Sequence, residues 1–180
     1  MDPVTSVDDN RQTADAPWLD ADEARAWRGY LLMSRLLFAE LGRGLNRDAN
    51  LSHADYEVLV VLSETPEHRL RMNELAARLV WEKSRLSHQI TRMQQRGLVD
   101  RQECVSDARG AFVVLTEAGL NAIRSAAPAH VRDVRRLFFD LLSPEQVKSI
   151  AAVTETVVDH LRGTCDSAPV PEPGTETTCD

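Results

Sequence analysis

Residues 70–119 decide the fold of this chain, and they read LRMNELAARLVWEKSRLSHQITRMQQRGLVDRQECVSDARGAFVVLTEAG. Their apolar residues recur first with the 3.6-residue period of a helix and then with the two-residue period of a strand. This order predicts a short helix, a tight turn, a second helix and a two-stranded hairpin with Asp107 to Gly110 at its tip. Such a layout is typical of a winged helix-turn-helix, in which one helix enters the DNA major groove and the hairpin tip reaches the backbone or the minor groove.

The size and composition are those of an ordinary globular protein. The chain has 180 residues, of which 43% are hydrophobic and 27% are charged. No apolar run approaches the roughly 20 residues that a membrane span needs, and the first residues are too polar for a secretory signal. Cys104, Cys165 and Cys179 are an odd number of cysteines, which suits a reducing compartment better than a disulfide framework. We therefore expect a cytoplasmic protein without a membrane partner.

The net charge of −7 argues at first against a nucleic-acid partner. The acidic excess, however, lies mostly in the ends of the chain, since residues 1–30 hold seven acidic and three basic residues and residues 163–180 hold four acidic and no basic ones. Residues 71–109 hold eight basic and five acidic residues. Because the local field decides whether a surface attracts phosphates, the helix-turn-helix segment is suited to DNA.

Helix signals outside this segment extend the predicted architecture. Ser52 and Asp55 have the spacing of a capping box, and Ser143 to Gln146 offers a capping hydroxyl, a proline in the first turn and a glutamine at the third position. Apolar residues also recur at helical spacing from about Asp20 to Arg47, and a fifth helix is expected from Thr116 to Leu142 with a kink at Pro128.

The expected fold class is mainly α, an α+β winged helix-turn-helix with six helices and a two-stranded β-wing. The expected organisation is a disordered N-terminal tail over residues 1–17, a dimerisation helix over 18–50, the winged helix-turn-helix DNA-binding domain over 51–117, dimerisation helices over 118–163 and a disordered C-terminal tail over 164–180.

The first, fifth and sixth helices have wider apolar faces than a monomer can leave exposed. A two-fold homodimer in which these helices pack together would bury them. The same symmetry would place two recognition helices one DNA turn apart, as a palindromic operator requires.

The fourth helix carries the predicted DNA-reading surface. Leu86, Ile90 and Met93 define its buried stripe, and Ser84 and His88 are among the residues that point the opposite way. The residues expected to contact bases or phosphates are Lys83, Ser84, Arg85, Ser87, His88 and Arg92. The alternative interpretation of this surface is the solvated polar face of an amphipathic helix.

At the hairpin tip, Arg109 is suited to insertion into a narrow minor groove. Asp107 can orient its guanidinium group, and Gly110 supplies the backbone freedom that the turn needs. A plain polar turn is the alternative here.

Together these motifs resemble the multiple antibiotic resistance regulator (MarR) family of transcription factors, over residues 22–162. The motifs that carry the resemblance are Leu51-Ser52, Tyr56 to Leu59, Glu74 to Ala76, Ser84 to Ser87, Ile90, Arg92-Met93, Arg96 to Val99, Asp107-x-Arg109-Gly110 and Leu115-Thr116-x-x-Gly119. Two positions depart from the common pattern. Arg71 stands where a Ser or Thr usually opens the third helix, and Trp81-Glu82 replaces a Ser-rich start of the fourth, so Trp81 is expected to influence how the recognition helix is set.

The resemblance implies an obligate dimer on double-stranded DNA with a palindromic operator. It also implies repression that is relieved by a small, often phenolic, anion or by oxidation of a cysteine. An effector cleft beside the dimer interface is expected to involve Trp27, Tyr30, Arg35, His53 and Tyr56. The alternative is that the aromatic residues belong to the core and that Arg35 makes a surface ion pair.

Cys104 lies on a predicted wing strand and is the candidate for a redox-responsive regulator, although a small buried hydrophobe is the alternative role. A winged-helix module that binds protein is the other alternative, but the basic, hydroxyl-rich fourth helix argues against it. We expect no enzyme, because the sequence shows no nucleophile elbow, phosphate-binding glycine loop or paired His/carboxylate motif. No catalytic residue, cofactor or metal site is therefore predicted, and the five histidines lack metal-ligand spacing.

Overall fold

The structure, a computed structural model, describes residues 17–103 and 111–164. The helices in these residues are α1 (Ala21–Ala49), α2 (His53–Ser63), α3 (Met72–Leu79), α4 (Lys83–Gln95), α5 (Glu117–Leu137) and α6 (Pro144–Thr164). The strands are β1 (Arg69–Arg71), β2 (Val99–Glu103) and β3 (Ala111–Leu115), and short 3-10 turns cover Pro66–His68 and Phe139–Leu141. The six helices and the winged arrangement confirm the expected class.

Two compact units divide the chain, with the boundary after Leu36, so the first part of α1 belongs to one unit and the winged domain to the other. No helix in the described residues has the length and apolar character to cross a membrane. Most of the two predicted tails, with Cys165 and Cys179, lies outside the described residues, and Thr164, assigned to the C-terminal tail, is the last residue of α6.

The two strands of the expected wing, β2 and β3, are present, but sequence analysis missed a further strand, since the sheet in the described residues has three antiparallel strands in the order β1-β3-β2. Val113 on β3 pairs with Leu70 on one side and with Arg101 on the other. A strand of three residues, Arg-Leu-Arg, is too short to show an alternating pattern, and the edge of β3 that it covers is remote in sequence. The predicted hairpin tip, with Asp107, Arg109 and Gly110, lies outside the described residues, and so does Cys104.

The core of the winged domain is built where α2, α4 and the sheet meet. Its largest fully buried side chains are Leu51, Val58, Leu59, Leu62, Leu75, Leu86, Ile90, Met93, Val99 and Val113. The three residues of the predicted α4 stripe are all among them, so the helical period correctly identified the buried side of the recognition helix.

Two predicted helix starts are confirmed in atomic detail. Asp55 N donates to Ser52 Oγ at 3.0 Å while Ser52 N donates to Asp55 Oδ2 at 2.8 Å. At α6, Ser143 N donates to Gln146 Oε1 at 2.8 Å and Gln146 N donates to Ser143 Oγ at 3.3 Å. Both boxes satisfy backbone N–H groups that the first helical turn leaves without partners.

The expected end of α5 is wrong by five residues. The helix accommodates Pro128 in its interior and ends at Leu137, because Phe138 leaves the helical conformation at φ −135° and ψ −69°. A separate 3-10 turn over Phe139–Leu141 follows. Residues 137–142, which read LFFDLL, are mostly apolar and contain neither glycine nor proline, so the sequence offered no local stop signal.

Candidate nucleic-acid interface

The helix-turn-helix begins at α3. Arg71 occupies the N-cap position, where a hydroxyl residue usually caps this helix. Its backbone N–H donates to Glu74 Oε2 at 3.2 Å, so the third residue of the helix supplies the carboxylate half of a capping arrangement. Leu75 and Ala76 then bury one side of α3 against the core. The departure at Arg71 therefore leaves the helix start intact.

The end of α3 forms the turn of the helix-turn-helix. Val80 adopts the left-handed conformation, with φ 53° and ψ 41°. Val80 N donates to Ala77 O at 3.1 Å and Trp81 N donates to Ala76 O at 2.9 Å, the two bonds of a Schellman motif. The Val80 side chain is 91% exposed, so its conformation is not compensated by packing in the isolated chain.

The end of α4 repeats this hydrogen-bond pattern with a different residue. Gly97 has φ +70°, its N–H donates to Gln94 O at 2.9 Å, and Leu98 N donates to Met93 O at 3.0 Å. Glycine adopts a positive φ without a steric penalty, so α4 ends without backbone strain.

The start of α5 is hydrogen-bonded to, and packed against, the residues that end α4. Thr116 Oγ1 donates to Gly97 O at 2.7 Å and lies 3.0 Å from Leu98 O, and it accepts a hydrogen bond of 3.0 Å from Gly119 N. Gly119 is buried, and a methyl group added there would overlap the carbonyl oxygen of Leu98. The Thr-x-x-Gly motif thus joins the recognition helix to α5 by close backbone contact.

The side of α4 opposite the core is open. Lys83, Ser84, Arg85, His88 and Arg92 are exposed, and Ser87 is half-buried. These are the six positions on α4 where DNA contacts are predicted. The helix contains three basic residues and no acidic one, so its free surface is cationic and rich in hydroxyl groups.

Trp81 and Arg85 meet at the first turn of α4. The guanidinium carbon of Arg85 lies 3.9 Å from the centroid of the Trp81 ring, within the range of a cation–π contact. Trp81 itself is half-buried and packs against the core. The tryptophan that departs from the common family pattern therefore contacts one of the residues predicted to read bases.

A buried polar network ties α4 to the start of α2. Asp55 and Gln89 are each 3% exposed, and Gln89 Nε2 donates to Asp55 Oδ1 at 2.6 Å. Arg96 Nη1 donates to Asp55 Oδ2 at 2.7 Å, and Arg96 Nη2 donates to the carbonyl oxygen of Asn50. Arg92 Nη2 donates in turn to Gln89 Oε1. A buried carboxylate is stable here because both of its oxygens accept hydrogen bonds.

Sequence reasoning missed this network. Gln89 is the available signal, because it is a polar residue inside the sector of α4 that otherwise buries Leu86, Ile90 and Met93. Its partner Asp55 was identified only as a capping residue. One carboxylate therefore caps the start of α2 and also holds the recognition helix in position.

The predicted effector residues lie in both units. In the first unit, the rings of Trp27 and Tyr30 stack with centroids 5.8 Å apart, and both residues and Arg35 are exposed. In the second unit, His53 and Tyr56 both lie on α2.

These two α2 side chains contact rings that were not predicted. Phe38 lies 5.2 Å from the His53 ring and His130 lies 4.3 Å from the Tyr56 ring, measured between centroids. Burial lowers the pKa of His130, an effect that the nearby His53 reinforces, and burial also raises the pKa of Tyr56. Among the described residues, no group of three or more His, Cys, Asp or Glu side chains could hold a metal ion.

The fold and the cationic helix define a winged helix-turn-helix protein, and comparisons with known proteins identify its family. The sequence profile of the MarR family matches residues 49–110. AbsC, a MarR family transcriptional regulator from Streptomyces coelicolor, is 47% identical in sequence; the match covers 83% of this chain and 100% of AbsC, with a TM-score of 0.77. The chain therefore belongs to the MarR family of transcriptional regulators.

Other solved structures extend the comparison. Sco3205, a MarR family transcriptional regulator from Streptomyces coelicolor solved in complex with DNA, is 42% identical over 87% of this chain and 98% of its own, with a TM-score of 0.79. An organohalide-sensing regulator solved with 2,4-dichlorophenol is 18% identical over 82% of this chain and 88% of its own, with a TM-score of 0.71, and at that identity it shows the fold alone. No curated protein sequence gave a significant match.

Proposed function

We propose that the protein is a transcriptional repressor that binds a palindromic operator as a homodimer and reads it with α4. The observation that carries the proposal is the free surface of α4, where Lys83, Arg85 and Arg92 surround exposed hydroxyl groups and no acidic residue intervenes. Such a surface complements both the phosphate backbone and the base edges of the major groove.

Two further observations support DNA as the partner. Sco3205, 42% identical to this chain, was solved in complex with DNA. The winged domain also holds α4 firmly by its buried stripe and by the Asp55 network. A recognition helix that is already fixed loses little conformational freedom when it binds.

The proposed dimer is supported by α6. Ile150, Val153, Val157 and Leu161 lie within one narrow sector of the helix and are between 37% and 63% exposed. Every residue from 148 to 164 is exposed in the single chain. Monomers rarely leave such a stripe in water, whereas a symmetric pair of chains buries it.

Binding to DNA is tested by mobility shift with duplexes enriched from a random pool by the purified protein. The affinity should fall steeply as salt rises, because lysines and arginines release counterions from DNA. Lys83→Ala should weaken binding and reduce the salt slope by about one. Lys148→Ala removes an exposed lysine from α6 and should leave the slope unchanged. A protein that enriches no duplex at low salt would not be a DNA-binding regulator.

The dimer is tested separately, by sedimentation equilibrium. Val157→Asp places a carboxylate in the apolar stripe and should produce monomers at micromolar concentration. Arg162→Asp places the same group on the opposite side of α6 and should leave the dimer intact. If the wild-type protein sediments as a monomer, the palindromic mode of binding is wrong.

We also propose that a small aromatic acid relieves repression by binding near His53 and Tyr56. Within the described residues, the Nδ1 atoms of His53 and His130 are buried without a hydrogen-bond partner, so both can pair with a polar ligand. The residues predicted in the first unit, Trp27, Tyr30 and Arg35, stay a separate prediction. A thermal-shift screen of aromatic acids should find stabilising ligands, and His53→Ala should abolish the shift. Stabilisation that survives this substitution would place the ligand elsewhere.

A further inference from the structure

Trp81 is fixed in the turn before α4 from two directions. Its backbone N–H is held by Ala76 O at 2.9 Å, and its half-buried ring packs against the core of the winged domain. A side chain fixed in both ways presents a rigid aromatic face at the start of the recognition helix.

Arg85 stacks on that face. Its guanidinium carbon is 3.9 Å from the ring centroid, and the two residues are four positions apart, with Arg85 in the first turn of α4. Stacking occupies the face of the planar guanidinium group and leaves the N–H donors at its edge available. In the described part of the chain, no hydrogen bond or ion pair engages those donors.

The other arginines near α4 use their donors within the protein. Arg92 donates to the Gln89 side chain, and Arg96 donates to Asp55 and to the backbone of Asn50. Arg85 thus combines a restrained orientation with free edge donors. Two parallel donors at the edge of a guanidinium group match the O6 and N7 acceptors of guanine in the major groove.

We propose that Trp81 is a positioning residue that holds Arg85 ready to pair with a guanine, and so sets the base preference at one position of each half-site. The inference rests on the proposed function, since it specifies how α4 reads DNA. The contribution of Trp81 comes from its aromatic face, because a long arginine side chain left unstacked would have to be ordered on binding.

The test uses pools of random duplexes selected by the full-length protein and its variants. Arg85→Ala should lose the preference for guanine at one position in each half-site. Trp81→Leu keeps an apolar side chain but removes the aromatic face, and it should weaken the same preference about tenfold. Trp81→Phe retains an aromatic face and should keep most of the preference. Thermal melts of each variant establish that it is folded.

A double-mutant cycle separates positioning from a structural role. If Trp81 acts through Arg85, then Trp81→Leu should cause no further loss of operator affinity once Arg85→Ala is present. A purely structural role would lower affinity equally in both backgrounds and would change no single base preference.

The outcomes also separate this inference from the proposed function. If the wild-type protein selects a duplex and Trp81→Leu selects the same sequence equally strongly, the positioning role is overturned while DNA recognition by α4 stands. If the wild-type protein selects no duplex, both fall together.

Discussion

The two helices of the helix-turn-helix end in the same hydrogen-bond pattern, but only one of the two ends carries a penalty for its backbone conformation. Gly97 closes α4 at φ +70°, where glycine is unstrained, whereas Val80 closes α3 at φ 53°, a conformation that a β-branched residue rarely adopts. The penalty for an L-residue in this conformation is about 1–2 kcal/mol.

The surroundings of the two ends differ as well. The end of α4 is clamped by Thr116 and Gly119, while Val80 is 91% exposed at the turn. The rigidity of the recognition helix therefore comes from its far end and its buried side. The strained residue, Val80, lies before the start of α4, next to the surface proposed to bind DNA. Unfavourable backbone conformations tend to accumulate at functional sites.

The largest effect is expected from breaking the clamp with Gly119→Ala. The added methyl group would overlap the backbone carbonyl of Leu98 and lie 2.7 Å from Leu115 Cδ1. We expect the free energy of unfolding to fall by about 3 kcal/mol, measured by urea denaturation at one protein concentration. Gly163→Ala, where nothing lies within 4 Å of the new methyl group, is the control and should cause no loss. Equal behaviour of the two variants would show that the junction is not tightly packed.

Gly97→Val gives the end of α4 the residue found at the end of α3. Nothing lies within 4 Å of the new Cβ, so the cost is that of the backbone alone. We expect a loss of about 2 kcal/mol in the same denaturation experiment, with Gly97→Ala losing somewhat less. Unchanged stability would mean that the positive φ at this position carries no penalty.

A smaller loss is expected for Thr116→Val, which removes the hydroxyl that joins α4 to α5 but keeps the shape of the side chain. The loss of the cap on Gly119 N and of the bond to Gly97 O should cost about 1 kcal/mol. Thr116→Ser retains the hydroxyl and should remain close to the wild type. If serine and valine destabilise alike, packing of the methyl group, not hydrogen bonding, stabilises the junction.

The smallest effect has the opposite sign. Val80→Gly relieves the strain at the end of α3 but adds freedom to the unfolded chain, so a net gain of about 0.5–1 kcal/mol is expected. Val80→Ala keeps a Cβ in the strained conformation and should gain less than glycine. A destabilised glycine variant would show that the added freedom of the unfolded chain outweighs the strain at Val80.

Local signals predicted the helix starts and the recognition surface well. The boxes at Ser52 and Ser143 depend on side chains three residues apart, and the orientation of α4 follows from its own apolar period. The exposed side of α4 was therefore predictable from the sequence, whereas its contact with DNA stays a prediction. The expected contribution of Arg109 falls outside the described residues.

Features that depend on distant partners were not predictable. Strand β1 exists because Leu70 pairs with Val113. Asp55 is buried because Gln89 of α4 and Arg96, the residue that follows α4, donate hydrogen bonds to it. The end of α5 at Leu137 was missed because an apolar run continues past it. For β1 and for Asp55, the deciding interaction joins segments that no short window of sequence contains.

The carboxylate of Asp55 restricts how α4 can move relative to α2. Both of its oxygens accept hydrogen bonds, so a rotation of α4 about its own axis would break the bonds that Gln89 and Arg96 donate to Asp55 at the start of α2. If a small molecule relieves repression as proposed, we expect it to move α2 and α4 together as one rigid body. In the proposed dimer, such a movement would change the distance between the two copies of α4, which must match successive major grooves roughly 34 Å apart, without changing the structure of α4 itself.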